Sequence, residues 1–141
     1  MAFSLDQDED RHFRVFPFFS PSVRGINSKN DGIIFCRKNG QIYVLLIELK
    51  SKRSGKYLMQ LKSARNFVNF LTATIDLHYS ISMDVIYRAI LFDTSDKRRS
   101  PKKGLTKRRK IVFNKVDGLD IARLRCNETY YLAQFLIAYS I

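Results

Sequence analysis

Glu48 and Lys50 end the most apolar segment of the chain, two residues apart. Side chains alternate between the two faces of a strand, so both should project from one face while Leu49 points the other way, into the core. Asp31 precedes the neighbouring apolar segment. Two carboxylates and an ammonium group can together hold a hard divalent cation and stabilise negative charge on a phosphate. These residue types therefore indicate metal-dependent phosphate chemistry, provided that the fold brings Asp31 to Glu48.

A hairpin centred on Asn39 and Gly40 would do so. Residues 33–37 and 41–50 are rich in Ile, Val, Leu, Phe and Tyr. Asn-Gly between two such segments is the strongest short-range hairpin signal, because both turn residues must accept a positive φ. Both faces of the second segment are apolar, which predicts a central strand that is covered on two sides.

The register of this hairpin predicts that the two carboxylates are neighbours. With a two-residue turn, Lys38 faces Gln41, and counting outwards puts Asp31 directly opposite Glu48. Directly opposed Cβ atoms lie roughly 4.5 to 5.5 Å apart, and like charges at that distance destabilise a sheet unless they are neutralised. A divalent cation would neutralise them; the alternative is an ordinary cross-strand pair in which Lys50 neutralises Glu48. An isolated Glu-x-Lys is expected about once by chance in such a chain, so the surrounding hairpin carries the assignment.

The rest of the pattern predicts a mixed α/β sheet. Apolar residues recur at helical spacing over residues 56–77: Leu58, Leu61, Ala64 or Arg65, Val68 and Leu71. Residues 85–92, 110–116 and 121–126 are expected to be strands. Asn127 is a suitable N-cap for a final helix that runs to the end of the chain, with an apolar face of Tyr131, Leu132, Phe135, Leu136 and Tyr139. The expected architecture is a central mixed sheet flanked by helices.

The succession of Asn30-Asp31, a hairpin, Glu48-Leu49-Lys50 and a helix resembles the PD-(D/E)XK nuclease superfamily. This group includes many restriction endonucleases, archaeal-type Holliday junction resolvases and RecB-like nucleases. The resemblance implies a restriction-endonuclease-like fold in which Asp31, Glu48 and the backbone carbonyl of Leu49 bind Mg²⁺ or Mn²⁺. Lys50 would orient or activate the attacking water, and the products would carry a 5′-phosphate and a 3′-hydroxyl. Asn30 replaces the proline of the motif, which many members also lack.

The resemblance covers about residues 28–92 and implies further site residues. Gln60 lies in the predicted helix, where some RecB-like members and resolvases place a site glutamine, although Ala64 stands where those proteins have a tyrosine. Many members also supply an acidic residue from a helix before the hairpin, for which Glu9 and Asp10 are the candidates.

The net charge of +12 indicates a polyanionic partner, by default nucleic acid, with DNA favoured. Nine basic residues and no acidic one lie between residues 97 and 110, which leaves 16 basic and 13 acidic residues elsewhere. Pro101 and Gly104 predict a loop over residues 95–110. Nine like charges repel one another without an anion, so this loop is expected to contact phosphates. A solvated loop or a nuclear-import signal would have the same composition. The expected nucleic-acid contacts are Lys52, Arg53, Lys56, Arg98, Arg99, Lys102, Lys103, Lys107, Arg108 and Arg109.

Length and composition limit the class of protein. A chain of 141 residues fits one domain over residues 1–141, with an N-terminal segment at 1–27 and the basic loop at 95–110. No apolar stretch is long enough to span a membrane, and the acidic N-terminus does not resemble a signal peptide. A cytoplasmic, nucleoid-associated protein is therefore expected, or a nuclear one in a eukaryotic or viral setting.

Several other residues carry a structural expectation only. Cys36 and Cys126 lack zinc-site spacing and are expected to be buried, reduced thiols. His12 and His78 have no partner at catalytic spacing and are expected to pack or lie on the surface. Tyr57 begins the predicted helix, where packing is expected and contact with substrate is the alternative. The remaining aromatic cluster is expected to be core: Phe13, Phe16, Phe18 and Phe19.

Three functions are compatible with these observations. The first is a Mg²⁺-dependent endonuclease that hydrolyses phosphodiester bonds in DNA, branched DNA included, through Asp31, Glu48 and Lys50. The second is a non-catalytic subunit that binds DNA or RNA within a larger complex, and the third is an RNA- or ribosome-associated basic protein. Cutting of both strands would favour a homodimer, and a partner protein could supply specificity.

Overall fold

The computed structural model describes residues 2–3, 22–23, 28–50, 56–93, 110–126 and 128–137. Within these ranges the chain is a mixed α/β protein, as expected, with a sheet in the order β1-β2-β3-β4-β6-β5. The elements are β1 (Ala2–Phe3), β2 (Gly32–Lys38), β3 (Gln41–Lys50), α1 (Tyr57–Tyr79), β4 (Val85–Asp93), β5 (Asn114–Val116), β6 (Leu119–Arg125) and α2 (Leu132–Phe135). No helix in this part of the chain is long and apolar enough to cross a membrane.

The β2–β3 hairpin has the register that the Asn-Gly turn predicts. Asn39 and Gly40 have φ values of 51° and 80°, which are the positive values that a two-residue hairpin turn requires. The ladder then runs without a slip from Lys38 opposite Gln41 to Gly32 opposite Ile47. Because side chains alternate, a slip of one residue would have moved every side chain of β3 to the wrong face.

Strand β3 lies at the centre of the sheet and is covered on both faces, as its apolar pattern predicts. Val44 and Leu46 belong to a core layer that α1 covers through buried residues at helical spacing, namely Leu61, Ala64 and Val68. On the opposite face, Tyr43 and Leu45 pack in a second layer that Phe135 of α2 helps to close.

Parallel pairing places three strand ends at one edge of the sheet. The long helix α1 connects β3 to β4, and this crossover makes the two strands parallel. Strand β6 is in turn parallel to β4. The C-terminal ends of β3, β4 and β6 therefore meet at the edge that carries Lys50, Asp93 and Arg125.

The second hairpin, at Asp117-Gly118, was not predicted from the sequence. Asp117 and Gly118 join β5 to β6 with φ values of 48° and 76°, the same positive-φ turn as in the first hairpin. Only three residues of the expected strand 110–116 form β5, and β6 begins at Leu119 rather than at residue 121.

Three expectations were wrong. Leu49 is 55% exposed instead of lying in the core, and it lines an apolar cavity of about 810 Å³ on the face that carries α2. Cys126 is exposed and Cys36 is only half-buried, although both are free thiols. The final helix is limited to the four residues of α2, with Tyr131 rather than Asn127 as its N-cap. Asn127 and Tyr139 lie outside the described residues.

Candidate active site

The candidate site lies at the end of the β2–β3 hairpin opposite the turn. Asp31 is the residue directly beyond the last pair of the ladder. Its Oδ2 accepts a hydrogen bond of 2.5 Å from the backbone N–H of Leu49. This bond holds the Asp31 carboxylate against the segment that carries Glu48 and Lys50, as the hairpin register predicts.

Asn30 closes the same end of the hairpin. Its side chain is 1% exposed, and its Nδ2 donates hydrogen bonds to the carbonyl oxygens of Gly32 at 2.5 Å and Ile47 at 3.3 Å. The amide therefore joins both strands and positions the neighbouring Asp31. This role of Asn30 was not predicted from the sequence, in which Asn30 stands where the motif has proline, because the bond to Ile47 depends on the register.

Glu48 is a fully buried carboxylate, with 0% exposure. Its Oε1 forms an ion pair with Lys50 Nζ, and its Oε2 accepts no hydrogen bond from the described residues. Burial raises the pKa of the Glu48 carboxyl above its usual range; the hydrogen bond and charge of Lys50 oppose this rise, whereas the charge of Asp31 adds to it. Among the described residues, the ammonium group of Lys50 is the only cation paired with this buried carboxylate.

Gln60 joins helix α1 to the site. Its Oε1 accepts a hydrogen bond of 2.8 Å from Lys50 Nζ, and its Nε2 donates one of 2.9 Å to the carbonyl oxygen of Lys29. The amide consequently fixes the ammonium group between a helix residue and Glu48. The fold therefore brings Asp31, Glu48, Lys50 and Gln60 together, and these are the four catalytic residues expected from the sequence.

The donor set of this site fits a hard divalent cation. Such ions prefer oxygen ligands and commonly bind through one or two carboxylates. Asp31 and Glu48 supply two, and the buried Oδ1 of Asn30 is a further acceptor without a donor among the described residues. No group of three or more His, Cys, Asp and Glu side chains that could hold a metal ion occurs in the described ranges, and Glu9 and Asp10 lie outside them.

Two neighbours of the site were not found from the sequence. The parallel register places Asp93 beside Lys50, and Arg125 beside Asp93. It likewise aligns Leu91 with Glu48 and Arg123 with Leu91. The two neighbours are Asp93 and Arg123. Each aligned pair is separated by more than thirty residues in the sequence. Only the rule that parallel strands meet at their carboxyl ends could have suggested that these two residues adjoin the site.

Most of the expected nucleic-acid contacts lie outside the described residues. Lys56 is described and is exposed directly before α1. The described residues nearest to the basic segment are Asp93, at the edge that carries the site, and Lys110, which lines a pocket together with Tyr57. His78 is exposed in the last turn of α1. The other expected contacts lie outside the described ranges: Lys52, Arg53, Arg98, Arg99, Lys102, Lys103, Lys107, Arg108 and Arg109. His12 and the N-terminal Phe cluster lie outside them as well.

The comparisons with known proteins gave no match. No protein-family model matches the sequence, no curated protein matches it, and no solved structure matches the fold. The case for any activity therefore depends on the residues and the geometry of this chain.

Proposed function

We propose that this protein is a Mg²⁺- or Mn²⁺-dependent endonuclease of the PD-(D/E)XK type, with a restriction-endonuclease-like fold and DNA as the favoured substrate. The observation that carries the proposal is the buried carboxylate of Glu48, which has an oxygen without a hydrogen-bond donor among the described residues and lies next to Asp31, Lys50 and Gln60. A structural ion pair needs neither the second carboxylate nor the glutamine.

Each residue has a defined task in this mechanism. Asp31 and Glu48, with the backbone carbonyl of Leu49, would hold the cation, which supplies positive charge to polarise the scissile phosphate and to acidify the attacking water. Lys50 stabilises the negative charge that develops on the phosphate. Gln60 is a positioning residue, since it holds Lys50 Nζ by a hydrogen bond.

The charge of the chain supports a nucleic acid as substrate. The net charge is +12, and nine of the basic residues lie between residues 97 and 110. Asp93, which precedes this segment, and Lys110, its last residue, are at the same end of the sheet as the site. A polyanion bound by the basic segment would therefore lie close to Asp31 and Glu48.

A cleavage assay tests the proposal. The protein is incubated with linear, supercoiled and branched DNA and with single-stranded RNA, in Mg²⁺, Mn²⁺ or EDTA. Asp31→Asn and Glu48→Gln should each reduce metal-dependent cleavage by at least roughly a hundredfold, while binding in EDTA is retained. Asp84→Asn is the matched control, because Asp84 is exposed and precedes β4 at the opposite end of the sheet.

The same assay separates the alternatives. Binding without cleavage in every metal would contradict the enzyme and support a non-catalytic DNA- or RNA-binding subunit. Cleavage that survives both Asp31→Asn and Glu48→Gln would show that the activity does not belong to this site. Cleavage lost equally in Asp84→Asn would indicate a general effect of charge.

A further inference from the structure

A tyrosine and an arginine form a hydrogen-bonded pair beside the candidate site. Arg123 Nη2 donates a hydrogen bond of 2.8 Å to the hydroxyl oxygen of Tyr57. The guanidinium carbon of Arg123 also lies 5.1 Å from the centre of the Tyr57 ring. The ring and its hydroxyl together hold the guanidinium group in place, although Arg123 is an exposed residue.

The charge of Arg123 has no acidic partner among the described residues. Two other arginines of the sheet are paired with carboxylates. Arg88 binds Asp120 through a contact of 2.5 Å, and Arg125 lies 3.7 Å from Glu128. Arg123 is held by an aromatic ring instead, so its positive charge remains uncompensated in the described part of the chain. A fixed, uncompensated guanidinium group is suited to a ligand that is both planar and anionic.

A pocket of about 330 Å³ adjoins this pair. Its wall combines Tyr57 and Arg123 with polar or charged residues, Lys110 and Asn114, and with apolar ones, including Val112 and Leu124. The volume is at the lower end of the range of roughly 300 to 1,000 Å³ for small-ligand pockets. It therefore suits one small ligand that has an apolar face, hydrogen-bonding edges and negative charge.

The position of the pocket relative to Glu48 is defined by the sheet. Glu48, Leu91 and Arg123 occupy one row across three neighbouring strands, and their side chains share the face that α1 covers. Two inter-strand spacings separate Glu48 from Arg123, which is about 10 Å. A nucleic-acid strand with a phosphate at Glu48 would thus have a neighbouring nucleotide within reach of the pocket.

We propose that this pocket binds one unpaired nucleotide, whose base stacks on the outer face of the Arg123 guanidinium group. Bases that are not paired stack readily on aromatic rings and on guanidinium planes, whereas paired bases within a duplex do not expose their faces. The substrate class that follows is a nucleic acid with a single-stranded segment, such as a flap, an overhang or a loop. The binding part of this inference stands alone; its link to cleavage depends on the proposed nuclease function.

Binding in EDTA tests the pocket without any cleavage. Fluorescence anisotropy would compare a labelled single-stranded oligonucleotide, a blunt duplex of equal length, and a strand of the same length made of abasic sites. Arg123→Ala should weaken binding of the single strand roughly tenfold, with Arg123→Lys intermediate because lysine keeps the charge but loses the plane. Tyr57→Phe, which retains the ring, should weaken it about twofold, in line with the loss of one hydrogen bond. Arg37→Ala is the matched control, since Arg37 is exposed near the turn at the opposite end of β2.

The outcomes distinguish this inference from the nuclease proposal. The loss in Arg123→Ala should disappear on the abasic strand and on the blunt duplex, where only the effect seen in Arg37→Ala remains. An equal loss on all three ligands would overturn the inference and reduce Arg123 to a phosphate contact. A loss no larger than that of Arg37→Ala would also overturn it. Selective binding of single strands by a protein that never cleaves would retain the pocket and reject the nuclease.

Discussion

At the scale of single residues, the site is defined by one buried charge. Glu48 is fully buried, yet its only described cationic contact is Lys50, and the neighbouring Asp31 adds repulsion. Burial of a carboxylate costs stability unless charge and hydrogen bonds compensate for it. A cost of this kind is commonly retained at functional sites, where it prepares the protein for a ligand.

This arrangement predicts how the stability of the metal-free protein depends on pH. The pKa of Glu48 in the fold is raised above the value of 4.5 that applies without burial. Below that value the carboxyl is protonated in both states and carries no penalty. As the pH rises through the raised pKa, the folded protein must hold a buried charge, so stability is lost. Glu48→Gln removes the charge, so it should raise the Tm more at pH 8 than at pH 4. Each kcal/mol gained in the free energy of unfolding corresponds to a rise of a few degrees in Tm.

Thermal unfolding in EDTA at both pH values measures this effect. Asp84→Asn, at an exposed aspartate, should show little change at either pH. A lower Tm of Glu48→Gln at pH 8 would mean that the pair with Lys50 is a net stabilising contact. That result would favour the ordinary cross-strand ion pair over a metal site.

At the scale of elements, the β2–β3 hairpin and α1 position the site from two directions. The turn sets the register that brings Asp31 to the segment containing Glu48, and Asn30 fixes the open end. Helix α1 packs on the same face and supplies Gln60, which holds Lys50. A site assembled from a strand pair and a helix is more rigid than one carried by loops.

The turn itself predicts a measurable effect. Gly40 has a φ of 80°, and a Cβ added there would meet nothing within 4 Å, so the cost of Gly40→Ala is backbone strain and not a steric clash. Alanine in this conformation costs about 1 kcal/mol or more. Chemical denaturation should show that loss for Gly40→Ala, and only a few tenths of a kcal/mol for Asn39→Gly, which keeps access to positive φ. Equal losses in both variants would contradict the role assigned to positive φ at Gly40.

At the scale of the whole molecule, charge is concentrated in one segment of an otherwise nearly balanced chain. Residues 97–110 contribute nine positive charges, and Asp93 before this segment and Lys110 at its end lie near the candidate site. Binding to nucleic acid releases condensed counterions, so affinity should fall steeply with salt. Outside this segment, several basic residues are already paired with acids, as Lys62 is with Asp117.

The salt dependence of duplex binding tests the phosphate contacts proposed for the basic segment. Changing both Arg108 and Arg109 to glutamine should reduce the slope of log affinity against log salt by about 1.8, since each phosphate contact contributes about 0.9. The matched control changes Arg37 and Lys38, which lie beside the hairpin turn at the opposite end of the sheet. An equal reduction in both double variants would show diffuse attraction and no particular role for the basic segment.

Local patterns determined a large part of this fold. The sequence predicted β3 from Gln41 to Lys50 without error, the register of its hairpin, and α1 to within two residues at its C-terminal end. These features depend on turn chemistry and on periodicity within one segment, which a sequence displays directly. The short α2 and the exposure of Leu49 and Cys126 were not predicted, because they depend on which other elements cover a given surface.

The candidate site shows the same division. The sequence by itself determined that Asp31 and Glu48 are neighbours and that Lys50 shares the face of Glu48, because a hairpin register and strand alternation are local rules. Only the tertiary structure decided that Gln60 binds Lys50, that Asn30 clamps the hairpin, and that Arg123 stands with Tyr57 beside Glu48. The physical reason is that these contacts join segments whose mutual placement depends on parallel strand pairing and helix packing, which no local pattern encodes.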